Sequence, residues 1–521
     1  MSWEILAATI SCLLFLYLVR SRNKVPYPPG PRGIPFLGNI LQINPQKPWE
    51  TFAEWRRTYG PVVFISLAGR PALILNTKEA AEDLLVRKAA IYSDRPRFVV
   101  SSETSGNLNM PTAPYTEMWR RMRRATEHAL SPKAITIYHQ HQTNESVVLT
   151  HSLLNDPSSW RFQAERASSS VALSLLYDTP LVQSLDDPSV VFVNNFLDKM
   201  DSAQALPPNG YLVDVFPTLG YLPRFLLSWR RQAETTFKTA NAWFEKRFLD
   251  IKDQVINGQE QRPSFCVTLA ENQNIHKMSD QHSAWLAGSL YIAASETTAT
   301  TMKWFIFTMI LYPEVQKRAQ DELDKIVGRS RLPSFADAKH LPYIQAIVKE
   351  ILRWRPGMGA SVPHAPTQDD YYKGYFIPKG TLVLADVWGI NCDPEIYGPD
   401  ADKFHPERHL DTNGNLKDDS PSEGHVTYGF GHRICAGRYV ANNTMFIEIA
   451  MILWATKLEP VKSRNGNFVM PDVNGVDGGR FFVRPPPFEF VTTPRFEDVD
   501  TLIQQARDEV MQEVDARKEA Q

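Results

Sequence analysis

The chain has 521 residues, 43% of them apolar and 22% charged, and a formal net charge of −2. Those values exclude a disordered chain and, lacking a basic excess, set nucleic acid aside as the main partner. Four cysteines, Cys12, Cys266, Cys392 and Cys435, are too few and too scattered for a disulfide framework and indicate a reducing compartment.

From Ile5 to Val19 no charge interrupts the sequence, and Arg20, Arg22 and Lys24 follow. At helical rise this run reaches roughly 23 Å, short of a hydrocarbon core of roughly 30 Å, so Trp3 and a snorkelling Arg20 complete its two ends. The basic residues come after the apolar run and no small-x-small pattern closes it, which argues against a cleaved signal peptide. Residues 1–25 are therefore expected to be an uncleaved single-pass anchor, with the body on the cytosolic side. The sequons at Asn144 and Asn442 then stay unglycosylated.

Pro26, Pro28, Pro29 and Pro31 forbid helix and make 26–34 a stiff hinge between membrane and body. Two short strands, Val62–Leu67 and Ala72–Leu75, are predicted on either side of Gly69-Arg70-Pro71. Helical patterns dominate from about 115 to 330. The longest helix is predicted to start near Ser279 or Asp280, both good N-caps, and to run to Tyr312, where Pro313 stops it. Another follows Pro342 and carries Glu350 and Arg353. Beyond 357, short strands and Pro/Gly turns mix with a few helices. No repeat or composition break divides 35–495, so one domain is expected there, mainly α with a smaller β-rich part (α+β). In the tail, 496–521, Val499, Leu502, Ile503, Ala506, Val510 and Val514 share one helical face, as in an amphipathic helix that docks on the body or a membrane. The apolar segment Leu206–Leu227, with prolines at 207, 208, 217 and 223, reads as a surface connection or as an entrance loop near a membrane.

Tyr428-Gly429-Phe430-Gly431-His432-Arg433-Ile434-Cys435-Ala436-Gly437 is a glycine-punctuated loop presenting one thiol beside two basic residues, which favour a thiolate. A lone cysteine is by default a small buried hydrophobe, so the loop needs company to mean more. Glu350 and Arg353 lie at i, i+3 on one helix face and can pair. Trp119 and Arg123 share a face from which both can reach a carboxylate. Ala293-Ala294-Ser295-Glu296-Thr297-Thr298 sits inside the longest helix, where threonines ordinarily bond back to i−4 carbonyls.

Together these segments resemble the cytochrome P-450 family of haem-thiolate monooxygenases, over about Pro28 to Pro494. The cysteine loop matches F-x-x-G-x-R-x-C-x-G except that Tyr428 replaces phenylalanine. Pro406-Glu407-Arg408-His409 matches P-E-R-F except at His409, and the long-helix segment matches A-G-x-[DE]-T-T except that Ala294 replaces glycine. The resemblance implies the family fold with an N-terminal transmembrane helix, and haem b held through Cys435 as axial iron ligand. It implies that Trp119, Arg123, His364 and Arg433 bind the haem propionates, that Glu296 and Thr297 form an acid–alcohol pair relaying protons, and that Glu350, Arg353 and Arg408 form a structural lock. It also implies insertion of one oxygen atom from O2 into a small lipophilic substrate, with electrons from NADPH through a separate membrane-bound flavoprotein reductase. Arg120, Arg121 and Arg124, turned away from the Trp119 and Arg123 face, are expected to help dock that reductase or to form an ordinary solvated face. The wording of the chain looks most like fungal microsomal members at the endoplasmic reticulum, many of which tailor terpenoids, polyketides or alkaloids. A haem-thiolate isomerase or dehydratase that ignores O2, and a non-catalytic haem sensor or carrier, are the rival readings.

Overall fold

The computed structural model describes residues 26–204, 210–259, 261–418, 424–477 and 482–519, which are mostly helical with three small sheets. The expected anchor, 1–25, lies outside the described residues, among which no helix is long and apolar enough to cross a membrane. The proline hinge lies along the body: the Phe64 amide donates to Pro29 O, and the Tyr27 ring stacks on Phe64 at 4.6 Å.

Helix α1 (Pro48–Tyr59) leads into strands β1 (Val62–Leu67) and β2 (Arg70–Leu75), an antiparallel hairpin turning at Ala68 and Gly69. Strand β2 begins two residues earlier than its sequence suggests. Its outer neighbour β3 (Leu382–Ala385) pairs in parallel only from Ala72 onward, so Pro71 costs that ladder no hydrogen bond.

The helical body follows with α2 (Glu117–Ala129), α3 (His139–Asn155), α4 (Trp160–Tyr177), α5 (Pro188–Gln204), α6 (Ser228–Ile256) and the long α7 (Asp280–Leu311). Ser279 caps α7 by accepting the His282 amide, and Pro313, which opens α8 (Pro313–Ile326), ends it as expected. Helix α7 threads two apolar cores. Residues from Ala284 to Ile292 pack with α2, α4 and α6, whereas those from Met302 to Ile310 pack with α9 (Pro342–Trp354) and α10 (Arg438–Ala455). The stretch between them, 293–301, borders the cavity described below. Against it lies α4, whose small Ala167-Ser168-Ser169-Ser170 run lets the two helices approach closely.

The tail is α11 (Val499–Glu519), seated on α3. Val499, Ile503, Val510 and Val514 are buried, Leu502 and Ala506 half-buried, and Arg517 ties the far end to Asp178 at 2.6 Å. Docking on the body is thus the role of its apolar face.

Candidate functional site

Cys435 follows a short helical turn, Gly431–Arg433, and precedes α10. Its amide donates to Tyr428 O at 2.8 Å, and Arg438 donates to its carbonyl at 2.9 Å, so both sides of the residue are fixed. Gly431 sits at φ 56° with Leu85 O only 2.0 Å from where a β-carbon would stand; no other residue fits there. The Tyr428 hydroxyl, which the family pattern lacks, donates to Asn442 Oδ1 at 2.5 Å.

Between this loop and α7 lies a cavity of about 310 Å³, within the usual range for small-molecule sites. Cys435, Thr297, Trp119, Arg123, His364 and Arg433 all border it, although they come from four separate stretches of chain. Leu130, Val171, Leu175, Leu290, Met358 and Val362 make much of the remaining wall apolar.

Glu296 does not border the cavity. Its Oε1 accepts from Thr300 at 2.9 Å and from Arg484 Nε at 2.7 Å, so the acid of the expected pair stands behind Thr297, ion-paired to the C-terminal segment. Thr297 borders the cavity, and its hydroxyl donates back to Ala293 O at 3.0 Å. The pairing of Glu296 with Arg484 could not be read from spacing, because 188 residues separate the two.

The basic edge of the cavity has a member that sequence reasoning missed. Arg95 donates to the carbonyls of Pro111, Val362 and Pro363, each at 2.8 Å, and lines the cavity beside Arg433. Arg433 donates to Ser93 O at 2.8 Å and Ala113 O at 2.7 Å, its guanidinium 4.0 Å from the Trp119 ring centre. Burial lowers Arg433 to about 9, with Arg123 adding to the shift and Asp94 opposing it. Burial and then the Arg433 charge bring Arg95 well below its usual value. Two guanidiniums so placed, with Asp94 as the opposing carboxylate, favour further negative charge beside them.

Arg123 donates to Glu127 at 2.7 Å and to Ile434 O at 2.5 Å, linking α2 to the cysteine loop. Trp119 gives its indole N–H to Met110 O at 3.0 Å. His364 lies 2.8 Å from Tyr92 O through Nδ1, which therefore carries the hydrogen, while burial and then Arg95 push the ring well below its usual value. A neutral ring in that tautomer offers Nε2 as an acceptor only; a neighbouring carboxylate would favour the second proton that makes it a donor.

A thiol at one wall, apolar surroundings and cationic groups at one edge suit haem, which is a flat apolar macrocycle with an iron at its centre and two propionates on one side.

Beneath the loop, Glu350 and Arg353 form a fully buried bidentate pair, both bonds 2.7 Å. Arg408 Nε adds a third contact at 2.9 Å. His409, the departure from the family segment, places Nε2 2.8 Å from Glu350 Oε2 and so completes the carboxylate's shell.

The family model for cytochrome P-450 matches residues 28–487. A cytochrome P-450 monooxygenase of Armillaria gallica is 46% identical over 486 residues, covering 92% of each chain. Cytochrome P-450 monooxygenase 58 of Postia placenta is 42% identical over 504 residues, covering 96% of this chain and 94% of its own. Among solved structures, a zebra fish cytochrome P-450 with abiraterone shares the fold, with a TM-score of 0.68 at 22% identity, covering 86% of this chain and all of that one. A thiol loop and a cationic edge on one cavity, in a chain so closely similar to these enzymes, make it a member of the cytochrome P-450 family, the haem-dependent monooxygenases.

Proposed function

We propose that this chain inserts one oxygen atom from O2 into a small lipophilic substrate, by hydroxylation or epoxidation, in fungal secondary metabolism. The observation that carries the reading is the cavity: Cys435 on one wall, the Thr297 hydroxyl on the opposite helix, and aliphatic side chains around them. Haem ligated by a thiolate supplies oxygen activation, because the sulfur pushes electron density towards O–O cleavage. Cys435 is the ligand. Arg95, Arg123, Arg433, Trp119 and His364 bind and orient the propionates. With its own hydrogen given to Ala293 O, Thr297 Oγ1 accepts from a water and holds it for proton delivery. Glu296 serves as the acid behind that hydroxyl, on the Thr300 side.

Electrons come from a separate NADPH-dependent flavoprotein reductase. The docking surface is on α2, where Arg120, Arg121 and Arg124 gather around the single carboxylate of Glu117 at 2.9, 3.5 and 3.1 Å. Three guanidiniums against one carboxylate leave a basic patch that suits an acidic partner. Reversing charge at Arg120 and Arg124 is expected to slow reduction about tenfold at low ionic strength and much less in high salt. Equal reduction rates at low salt would remove this surface from the docking site.

The uncharged Ile5–Val19 run followed by basic residues supports a location at the endoplasmic reticulum membrane with the body cytosolic. Leu212, Tyr221, Phe225 and Leu226, each more than half exposed on one connection, support a second apolar contact there.

Turnover with NADPH and reductase, with and without O2, decides the function. Product that needs O2 supports the monooxygenase; product without O2 identifies an isomerase or dehydratase, and none with any metabolite a carrier. Untargeted metabolite profiling of a host expressing the chain identifies the substrate. Thr297→Ala is expected to keep the thiolate spectrum and NADPH consumption while product per NADPH falls about tenfold or more, the electrons appearing as hydrogen peroxide. Unchanged coupling in that variant, with loss in Thr298→Ala or Thr301→Ala, moves the relay to another threonine.

A further inference from the structure

Ala294 stands where the family segment has glycine, and an alanine holds a helix more tightly than a glycine does. A hydroxyl from another helix meets its carbonyl. Ser168 on α4, 4% exposed, donates to Ala294 O at 2.9 Å. The preceding carbonyl, Ala293 O, accepts the Thr297 hydroxyl, so two consecutive carbonyls of α7 each carry a side-chain donor. Ser168, Ala294, Thr297 and Thr298 all border the cavity. Other hydroxyls nearby bond within α7 itself: Ser295 to Tyr291 O and Thr301 to Thr297 O. The Ser168 bond differs because it pulls from outside the helix.

A helical carbonyl that takes an outside donor tilts from the axis, and its bond to the amide four residues on lengthens. For Ala294 that amide belongs to Thr298. We propose that Ser168 is a positioning residue that loosens α7 between Ala294 and Thr298, so that Ala294 O can share a water with Thr297 Oγ1. The serine does from a neighbouring helix what a glycine would do from within. In its functional meaning the proposal rests on the proton-delivery reading of Thr297; the loosening itself rests on the hydrogen bond alone.

Amide hydrogen exchange of the holoprotein at Thr298, resolved by fragmentation, tests the loosening without reference to turnover. In Ser168→Ala the Ala294 carbonyl returns undivided to the Thr298 amide, and exchange there is expected to slow about fivefold, the weight of one ordinary hydrogen bond. Ser168→Thr keeps the hydroxyl and is expected to exchange like the native protein. A packing defect would instead speed exchange, so unchanged or faster exchange in Ser168→Ala overturns the proposal. Peroxide formed per NADPH is expected to rise in Ser168→Ala and to stay low in Ser168→Thr. Slowed exchange with unchanged peroxide overturns the link to proton delivery. Failure of the Thr297 reading shows separately, as unchanged coupling in Thr297→Ala.

Discussion

Cys435→Ala is expected to abolish NADPH-driven turnover and the long-wavelength Soret band of the CO-bound ferrous protein. The substitution removes the sulfur and little else. The residue's amide stays bonded to Tyr428 O, its carbonyl to Arg438, and Gly431 stays against Leu85 O, so the loop keeps its shape. The cationic edge formed by Arg95, Arg123 and Arg433 is untouched and still favours the propionates. Haem is therefore expected to bind without its thiolate, giving the spectrum of a haem protein lacking sulfur ligation. Retention of the long-wavelength band in the alanine variant would show that another group ligates the iron.

The largest loss of stability is expected from Glu350→Ala. This carboxylate is fully buried and receives Arg353, Arg408, His409 and the amide of His405, so its removal leaves cationic groups facing one another without a counter-charge. Breaking one side of such a buried pair costs about 3–5 kcal/mol, several times the typical surface substitution. The shift in urea midpoint at equal haem content measures it, and a loss below about 1 kcal/mol would show the lock to be dispensable. Burial alone would raise the Glu350 carboxyl, but the hydrogen bonds and charges of Arg353 and His409 outweigh it and bring the group from 4.5 to about 2. A depressed carboxyl stabilises the fold fully above its ordinary value and loses that contribution as pH falls. The stability gap between the native protein and Glu350→Gln is therefore expected to be widest above pH 4.5 and to close towards pH 2.

Local signals carried the elements well. The bounds of α7 follow from a serine cap and a stopping proline, and the β1–β2 hairpin from its turn residues. The cysteine loop, Trp119, Arg123, His364, Arg433 and Thr297 were legible because family motifs name them, and the fold gathers all of them on one cavity. What stayed hidden depends on contacts between distant stretches, which leave no period in the sequence. Arg95 is a plain arginine between Asp94 and Pro96 until residues 362 and 363 give it their carbonyls. Glu296 meets Arg484, and Ser168 meets Ala294, only because the helices and the C-terminal segment fold together. His409 reads as a departure from a motif, yet its imidazole supplies a contact to Glu350 that a phenylalanine ring could not make.

Helix α7 joins two apolar cores whose boundary falls along the cavity wall at 293–301. A group bound there touches both halves of the molecule at once, through the α2 side and through the cysteine loop. Any binding free energy it has for the folded state is added to the folding free energy of both halves together. The prosthetic group would in this sense be the keystone of the chain: a larger supply of it during synthesis is expected to raise the amount of folded protein that accumulates, apart from how fast each molecule turns over.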